Sequence, residues 1–334
     1  MGVRLADVFA ARATIRGIAD ATPLMPSPFM SGKAGHEFLM KLETAQPIGA
    51  FKLRGAVNAV FNLPADVVGV TCCSTGNHGR GVAYAARARG IRAVICMSRL
   101  VPQAKVEGIR ALGADVRIVG TSQDEAMHES RRLCAAEGLA EISPFDDPRV
   151  IAGQGTIGLE MLEARPDLRT ILVPLSGGGL AAGVTVAAKA ISPDVRVVGI
   201  TMDRGAAMQA SIAAGHPVEV PEYPSLADSL GGGIGLENRL SFPLCRDLLD
   251  DVVLVTEEEI RHAMQVLYFE DRMVAEGGSV VGLAAVLSGK VVPEGPTATI
   301  LTGRNLDMGL FTRIVTGQDV TLGDLTLKGK AYAA

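Results

Sequence analysis

The sequence contains no tryptophan, and only 4% of its 334 residues are aromatic. It also has no segment in which basic and aromatic residues alternate, the pattern typical of nucleic-acid-binding surfaces, and its formal net charge is −4. No run of about 18 uncharged apolar residues is present, so no membrane-spanning helix is expected. These absences argue against nucleic-acid and membrane partners and leave a small molecule as the expected partner.

Cysteine is scarce, and the first residues show no apolar core of a secretory signal peptide. The five cysteines have no metal-binding spacing. An odd number of cysteines without a leader indicates reduced thiols. We therefore expect a cytoplasmic protein with no metal site.

Glycine is abundant, with 39 residues, but it lies at the ends of predicted elements. From residue 52 onward, strands and helices alternate, which predicts parallel sheets with crossover helices. The predicted strands are Val67–Cys73, Ile91–Met97, Asp115–Val119, Thr170–Leu175, Val195–Thr201, Val252–Thr256 and Thr297–Leu301. The predicted helices are His78–Arg89, Gln103–Leu112, Gln123–Glu137, Leu180–Ala190, Glu257–Asp271 and Val280–Leu287. A loop from Pro144 to Pro148 interrupts the alternation and predicts a domain boundary.

A glycine turn, Ser176–Gly179, follows a predicted strand and begins a predicted helix. It exposes backbone N–H groups at the positive end of the helix dipole, which suits a phosphate. The spacing of Gly177, Gly179 and Ala182 also fits the dinucleotide fingerprint, and Asp203 follows about 20 residues later, where an NAD ribose would be bound. A P-loop is excluded because no Lys-Ser/Thr pair follows the glycines. This segment alone therefore leaves the choice between NAD and another phosphate open.

Two further turns follow predicted strands. The turn Ser74–His78 combines hydroxyls, an amide and free N–H groups at a helix N-terminus, which suits a carboxylate ligand. A simple N-cap would explain the serine or threonine but not the whole cluster. The turn Thr302–Asn305 follows the last predicted strand. Turns at the carboxyl ends of parallel strands converge on one cleft, so we expect the three turns to lie together.

Lysine is rare, with eight residues in the chain. Seven of them lie in predicted loops, on amphipathic helices or in the tail, where a solvated charge is the ordinary role. Lys52 differs, because it lies between Phe51 and Leu53 at a predicted helix start. Apolar surroundings disfavour the charged amine and make it nucleophilic, although a long side chain can also reach out to solvent. A nucleophilic lysine, a phosphate cradle and an aromatic ring together indicate pyridoxal phosphate.

Taken as a set, these segments resemble the threonine dehydratase and serine racemase group of fold-type II pyridoxal-phosphate enzymes. The resemblance runs from Thr22 to Asn305. It implies an α/β fold of two open, mainly parallel sheets with flanking helices and the cofactor in the cleft between two domains. Residues 1–50 and 150–334 would form the large cofactor-binding domain, and residues 51–149 a small, mobile, substrate-side domain. The resemblance also implies a homodimer.

The resemblance implies a role for each motif. Lys52 would form the Schiff base, Phe51 would pack on the cofactor ring, Asn77 would bind its ring hydroxyl and Thr302 would face its pyridine nitrogen. The cofactor phosphate would be held by Ser176, Gly177, Gly178, Gly179 and Leu180. The substrate carboxylate would be held by Ser74, Thr75, Gly76, Asn77 and His78. A neutral hydroxyl at Thr302 leaves the pyridine nitrogen unprotonated, which favours elimination over transamination.

Several positions depart from the pattern of the group. Thr75, the second residue expected to be catalytic, replaces the serine that acts as a base in the racemases, which argues against racemisation. Thr201 and Ala207 stand where relatives that bind a divalent ion have carboxylates, so no metal site is expected. Arg80 and Arg304 replace uncharged residues. They indicate either a substrate with an additional anionic or carbonyl group or two solvated arginines.

The implied reaction is β-elimination of water from a β-hydroxy-α-amino acid, which gives an oxo-acid and ammonia. The segment Ser225–Gly233, together with the turn Thr302–Asn305, most resembles dehydratases of hydroxyectoine utilisation. Two alternatives remain at this point: an NAD-dependent dehydrogenase that uses the glycine fingerprint, and a non-catalytic protein that binds pyridoxal phosphate or an amino acid.

Overall fold

The computed structural model describes residues 2–74, 76–101 and 103–333. Within them, strands and helices alternate along most of the chain. The strands are β1 (Leu24–Pro26), β2 (Phe38–Leu42), β3 (Gly69–Cys73), β4 (Arg92–Met97), β5 (Asp115–Ile118), β6 (Ala140–Glu141), β7 (Thr170–Pro174), β8 (Arg196–Met202), β9 (Asp251–Val255), β10 (Thr297–Leu301), β11 (Val320–Leu322) and β12 (Leu325–Leu327).

The α-helices flank these strands. They are α1 (Leu5–Ile15), α2 (Pro28–Ala34), α3 (Lys52–Phe61), α4 (Asn77–Arg89), α5 (Gln103–Arg110), α6 (Gln123–Glu137), α7 (Pro148–Ala164), α8 (Gly179–Ile191), α9 (Ala207–Ala214), α10 (Ser241–Leu248), α11 (Glu257–Asp271), α12 (Val281–Leu287) and α13 (Met308–Val315). No helix in the described residues combines the length and the apolar character needed to cross a bilayer.

Two open sheets organise the fold. The larger has six strands in the order β1-β2-β10-β7-β8-β9, and all neighbours are parallel except β1 and β2. The smaller has four parallel strands in the order β5-β4-β3-β6. The prediction of an α/β fold with two open, mainly parallel sheets is therefore confirmed. The strands β11 and β12 form a separate antiparallel hairpin that was not predicted.

The predicted elements recur within two residues at each end, and Gln123–Glu137, Glu257–Asp271 and Thr297–Leu301 have the predicted bounds. The elements before residue 52 were not predicted, although β2 pairs with β10 inside the larger sheet. Helix α7 was not predicted either, and Pro148, which was assigned to the predicted loop, begins it. Asp147 caps this helix by accepting hydrogen bonds from the backbone of Arg149 and Val150, and proline is favoured in a first turn.

Helix α7 packs against both α3 and α8, and glycines permit this close approach. A Cβ on Gly153 of α7 would lie 2.7 Å from the backbone oxygen of Arg54 in α3. A Cβ on Gly183 of α8 would lie 2.2 Å from the backbone oxygen of Ile151 in α7. Backbone-to-backbone packing of this kind leaves no room for a methyl group. The helices that begin at Lys52 and Gly179 are therefore held against one common partner.

A buried ionic cluster fixes α3 further. The fully buried Arg54 guanidinium donates to both carboxylate oxygens of Glu43, at 2.8 Å each, and to Glu160 of α7 at 2.6 and 2.9 Å. Lys41 of β2 completes the cluster by donating to Glu160 at 2.5 Å and to the backbone oxygen of Thr22 at 2.6 Å. Two cations and two carboxylates thus join β2, α3 and α7 beneath the start of α3.

Replacing Arg54 by methionine is expected to destabilise the protein by about 3–5 kcal/mol, because the carboxylates of Glu43 and Glu160 would stay buried without their guanidinium. Urea denaturation measures this change. The matched control is Arg92→Met. Arg92 also pairs with two carboxylates, but its side chain is 42% exposed, so a loss below about 1 kcal/mol is expected. Equal losses of unfolding free energy in the two variants would contradict the larger contribution expected from the buried cluster.

Candidate active site

The glycine turn and the Thr302 turn lie at one edge of the larger sheet. Strands β7 and β10 are parallel neighbours, with Leu172 opposite Thr299, so their carboxyl ends meet. The Lys52 segment is tied to this edge by its backbone. The N–H of Phe51 donates to the Thr302 oxygen at 2.9 Å, and the N–H of Arg304 donates to the Gly49 oxygen at 3.0 Å. The lysine thus begins α3 directly beside the Thr302 turn.

Lys52 is half-buried, and a backbone group is the hydrogen-bond partner of its amine. Nζ donates to the carbonyl oxygen of Pro144 at 2.7 Å and lies 5.3 Å from the centre of the Phe51 ring. Burial lowers the pKa of the Lys52 amine to about 8. A carbonyl group accepts a hydrogen bond from the amine without adding a negative charge, so it opposes this shift only weakly. The amine is therefore partly neutral near physiological pH, as a nucleophile or base must be.

In the cofactor-free protein, Lys52 is expected to combine with pyridoxal phosphate at a rate that rises as the pH increases through about 8, since only the neutral amine reacts. Below that pH the amine is protonated and the rate falls. Stopped-flow absorbance at a series of pH values measures the rate constant, with Nα-acetyl-lysine as the solvated reference amine. If the pH midpoint of the rate constant for the protein equals that of the reference amine, burial does not lower the pKa of Lys52.

The Ser176–Gly179 turn presents backbone rather than side chains. Gly178 has a φ of 87°, a left-handed conformation that favours glycine. The Gly177 oxygen accepts from the Ser241 hydroxyl at 2.7 Å. The first N–H groups of α8 have no partner within the helix and lie at its positive end. Leu180 is buried, whereas Ser176 is half-buried and adds a hydroxyl donor at the start of the turn.

This turn is tightly covered by the loop that also contacts Lys52. A Cβ on Gly177 would lie 2.2 Å from the ring of Phe145, and a Cβ on Gly179 would lie 2.7 Å from the Cα of Phe145. Asp146 fixes the loop by accepting backbone hydrogen bonds from residues 239–241 at 2.8 to 3.0 Å. A cradle of N–H groups that admits no side chain, next to an amine of lowered pKa, fits a phosphate-bearing aldehyde cofactor.

A Gly177→Ala change is expected to weaken binding of pyridoxal phosphate about tenfold or more, because the new methyl group would meet the Phe145 ring and displace the turn from the phosphate. Equilibrium dialysis measures the dissociation constant. Gly32→Ala in α2 is the control, since a Cβ there meets nothing within 4 Å. Unchanged affinity in the Gly177 variant would contradict the assignment of this turn to the phosphate.

Asn77 begins α4, and the side chains of two residues hold its amide. Its Nδ2 donates to both oxygens of Glu276, at 2.9 and 3.1 Å, and its Oδ1 accepts from Asn305 at 2.7 Å. Thr302 shares a hydrogen bond of 2.9 Å with the Ser279 hydroxyl. The Ser74–His78 turn and the Thr302 turn are thus joined through side chains, which supports their predicted convergence.

The remaining residues of the Ser74–His78 turn differ in what their side chains offer. The Ser74 hydroxyl accepts from the Gly76 N–H at 3.4 Å, which shapes the turn. His78 is buried, and its Nε2 lies 2.8 Å from the Ile142 oxygen. Burial, helped by the Lys52 charge, lowers the pKa of His78 to about 3, so the ring is neutral. The ring contacts the Ile142 backbone, so the predicted substrate contact of His78 would have to come from its backbone N–H. Thr75 lies outside the described residues.

Sequence analysis missed several residues that the structure places at this site. Glu276 precedes the Gly277–Ser279 turn, and Pro144 and Phe145 belong to the loop that was predicted only as a boundary. The only sequence feature that could have indicated Glu276 is its position directly before two glycines. Among the described residues, no group of histidine, cysteine or carboxylate side chains has the arrangement of a metal site.

Comparison with known proteins agrees with this geometry. Residues 15–303 match the family model of pyridoxal-phosphate dependent enzymes. A Sinorhizobium fredii protein provisionally named a threonine dehydratase is 55% identical over 89% of this chain and 90% of its own length. An L-threonine ammonia-lyase of Thermotoga maritima is 40% identical over 86% of this chain and 71% of its own. The structure of maize serine racemase superposes with a TM-score of 0.89, at 34% identity over 94% of this chain and 97% of that chain.

The chain therefore belongs to the family of pyridoxal-phosphate dependent enzymes. Within this family it is a lyase, and pyridoxal phosphate is its cofactor. The predicted cofactor is thus confirmed, and the NAD alternative is wrong. Asp203 follows β8 at the spacing that suggested a ribose contact, and this spacing is a coincidence of two α/β folds that both place a glycine turn after a strand.

Proposed function

We propose that this enzyme removes water from a β-hydroxy-α-amino acid of the threonine or serine kind and releases an oxo-acid and ammonia. The main support is the Lys52 amine. Its pKa is lowered by burial, and it lies beside both the phosphate cradle and the Thr302 turn. The names of the two relatives, which refer to threonine, support the same substrate class. When bound, pyridoxal phosphate supplies the electron sink that stabilises negative charge at the α-carbon.

The protein residues supply binding and proton transfer. Lys52 would hold the cofactor through Nζ and, once released by the substrate amine, would take the α-proton at the same atom. The N–H groups at the start of α4, with Ser74 and Asn77, would bind the substrate carboxylate at the positive end of the helix. Phe51 and Phe145 flank the lysine and the glycine turn with apolar surface that limits water.

Thr302 favours elimination among the reactions open to the family. Its hydroxyl is paired with the Ser279 hydroxyl, so the group proposed to face the pyridine nitrogen is neutral. A neutral partner does not hold a proton on that nitrogen as a carboxylate would. Thr302 would therefore not strengthen electron withdrawal as a carboxylate would, which favours loss of a β-leaving group over transamination.

The domain division into residues 1–50 with 150–334, and 51–149, remains part of this proposal. All strands of the smaller sheet fall within residues 69–141, and all strands of the larger sheet fall within 24–42 and 170–301. This separation supports a smaller unit that carries the Ser74–His78 turn. We also propose a homodimer, which analytical ultracentrifugation would measure.

For the substrate side chain, we propose a hydroxy amino acid derived from hydroxyectoine as the preferred substrate. The segment Ser225–Gly233 carries the resemblance to that branch, and it lies next to the site. The Leu226 oxygen lies 2.2 Å from a Cβ on Gly277, and the Ser229 hydroxyl lies 2.5 Å from a Cβ on Gly278. Both glycines follow Glu276 directly, so this segment is positioned to shape the substrate pocket.

The test of the reaction is Lys52→Ala, expected to abolish both the visible absorbance of the bound cofactor and ammonia release. Activity would be measured with threonine, serine, 3-hydroxyaspartate and hydroxyectoine-derived diamino acids. The matched control is Lys33→Ala. Lys33 lies 5.2 Å from the Phe29 ring, much as Lys52 lies over Phe51. The control variant should retain absorbance and activity.

Two results would contradict the proposal. The first is a Lys52→Ala protein that keeps both the absorbance and the turnover. The second is a wild-type protein that binds pyridoxal phosphate but releases no ammonia from any substrate of the panel, which would favour the non-catalytic alternative.

A further inference from the structure

Glu276 is a buried carboxylate that the proposed reaction does not use. Its side chain is 3% exposed, and its Oε1 accepts from Asn77 Nδ2 at 2.9 Å and from the Asn305 backbone N–H at 2.8 Å. Burial raises its pKa, with the charge of Asp228 acting in the same direction, while the hydrogen bonds from Asn77 and Asn305 oppose the shift. Oε2 lies 3.1 Å from the same Asn77 nitrogen, so the carboxylate faces Nδ2 with both oxygens.

These contacts fix which way the Asn77 amide points. An acceptor at Glu276 requires the Asn77 nitrogen on that side, and Asn305 Nδ2 requires the Asn77 oxygen on the other. Asn305 Nδ2 is itself held by the Ile48 oxygen at 2.8 Å, so this donor is also fixed in place. The hydrogen bonds to Glu276 and Asn305 therefore determine which side of the Asn77 amide carries the nitrogen and which the oxygen.

The geometry leaves one amide hydrogen of Asn77 available. The two hydrogens of an amide diverge, whereas the two oxygens of Glu276 lie close together in one direction from Nδ2. One hydrogen serves the carboxylate, and the other points elsewhere as a donor.

The packing around Glu276 fixes the position of its carboxylate. Its backbone N–H donates to the Gly303 oxygen at 3.0 Å, and a Cβ on Gly303 would lie 2.6 Å from Glu276 Oε1. The glycine therefore makes room for the carboxylate between the Asn77 helix and the Thr302 turn. A substitution at Glu276 alters the orientation of Asn77 more directly than it alters any contact of Lys52.

We propose that Glu276 is a positioning residue that orients Asn77 as a hydrogen-bond donor toward the cofactor ring oxygen. The proposal rests on the proposed function, which assigns Asn77 to that oxygen. A donor in this place stabilises the anionic form of the oxygen, because a hydrogen bond to a charged group is stronger than one to a neutral group. Glu276 thus acts on the cofactor through Asn77 and does not touch the reacting atoms.

The test is Glu276→Met in the cofactor-loaded enzyme. Methionine keeps the length of the side chain and removes the acceptor. The ratio of the short-wavelength absorbance band, from cofactor with a neutral ring hydroxyl, to the long-wavelength band is expected to rise about tenfold. The dissociation constant for pyridoxal phosphate should rise by a similar factor. The band ratio is the decisive measurement, because a general loss of stability would not redistribute the two absorbing forms.

The control is Asp271→Leu. Asp271 is another partly buried carboxylate with a pKa raised by burial, and it accepts from the Ser27 hydroxyl at 3.0 Å. This variant should leave the band ratio unchanged. If Glu276→Met fails to fold, Asn305→Ala provides the same test, because the Asn305 side chain is exposed and its loss frees Asn77 Oδ1. Its band ratio should rise in the same direction by a smaller factor.

A band ratio within twofold of the wild type in the folded Glu276 variant would overturn the proposal. If that variant does not fold, an unchanged band ratio in the Asn305 variant would overturn it instead. Equal changes in the Asp271 control would also overturn it. Failure of the proposed function has a different signature, because Lys52→Ala would then keep its absorbance and turnover, or the wild type would release no ammonia, whereas the band ratio reports on the Asn77 amide.

Discussion

The pairing of Arg54 with the carboxylates of Glu43 and Glu160 is the interaction on which the site depends. Lys52 and Arg54 lie about 200° apart around the axis of α3, so one faces the site while the other faces the core. Arg54 connects α3 to α7 and to the segment after β2. Desolvation of these charges offsets much of their attraction, but loss of Arg54 would leave two buried carboxylates without their guanidinium. The position of the Lys52 amine follows from this pairing.

Helix α7 extends this constraint to the phosphate cradle. Its glycines allow α3 and α8 to approach it backbone to backbone, so the first residues of both helices have little freedom to move apart. One of these helices begins with the lysine and the other with the glycine turn. The two segments proposed to bind the aldehyde end and the phosphate end of the cofactor are therefore held by helices that share one support. The loop with Pro144 and Phe145 closes the space between them.

Sequence alone predicted the parts of the fold and site that depend on local pattern. Strand–turn–helix units such as β7 and α8 have an apolar run, glycines and a helix start in immediate succession, and these were placed within two residues. Lys52 was identified because its neighbours in sequence are apolar. The family resemblance then supplied roles for residues whose patterns left alternatives open.

The features that sequence did not predict depend on distant contacts. Glu276 contacts Asn77 across 199 residues of chain, and Lys52 contacts Pro144 across 92. No periodicity encodes such pairs, because they arise from the stacking of loops at the sheet edges. Helix α7 was not predicted, and its start was assigned to a loop because an aspartate and a proline can mark either a loop or a helix N-terminus. The segment forms a helix because the residues that follow Pro148 are largely buried.

The turn from Thr302 to Asn305 contains, within four residues, positions where the side chain is constrained by packing and a position where it is not. Thr302 is buried against Ser279, and Gly303 has no space for a side chain beside Glu276. Arg304 lies exposed, and its link to Gly49 is through its backbone N–H, which any residue except proline provides. A change of side chain at Arg304 therefore preserves this backbone hydrogen bond. Arg304 can thus vary while Thr302 and Gly303, which precede it in the same turn, stay constrained by packing.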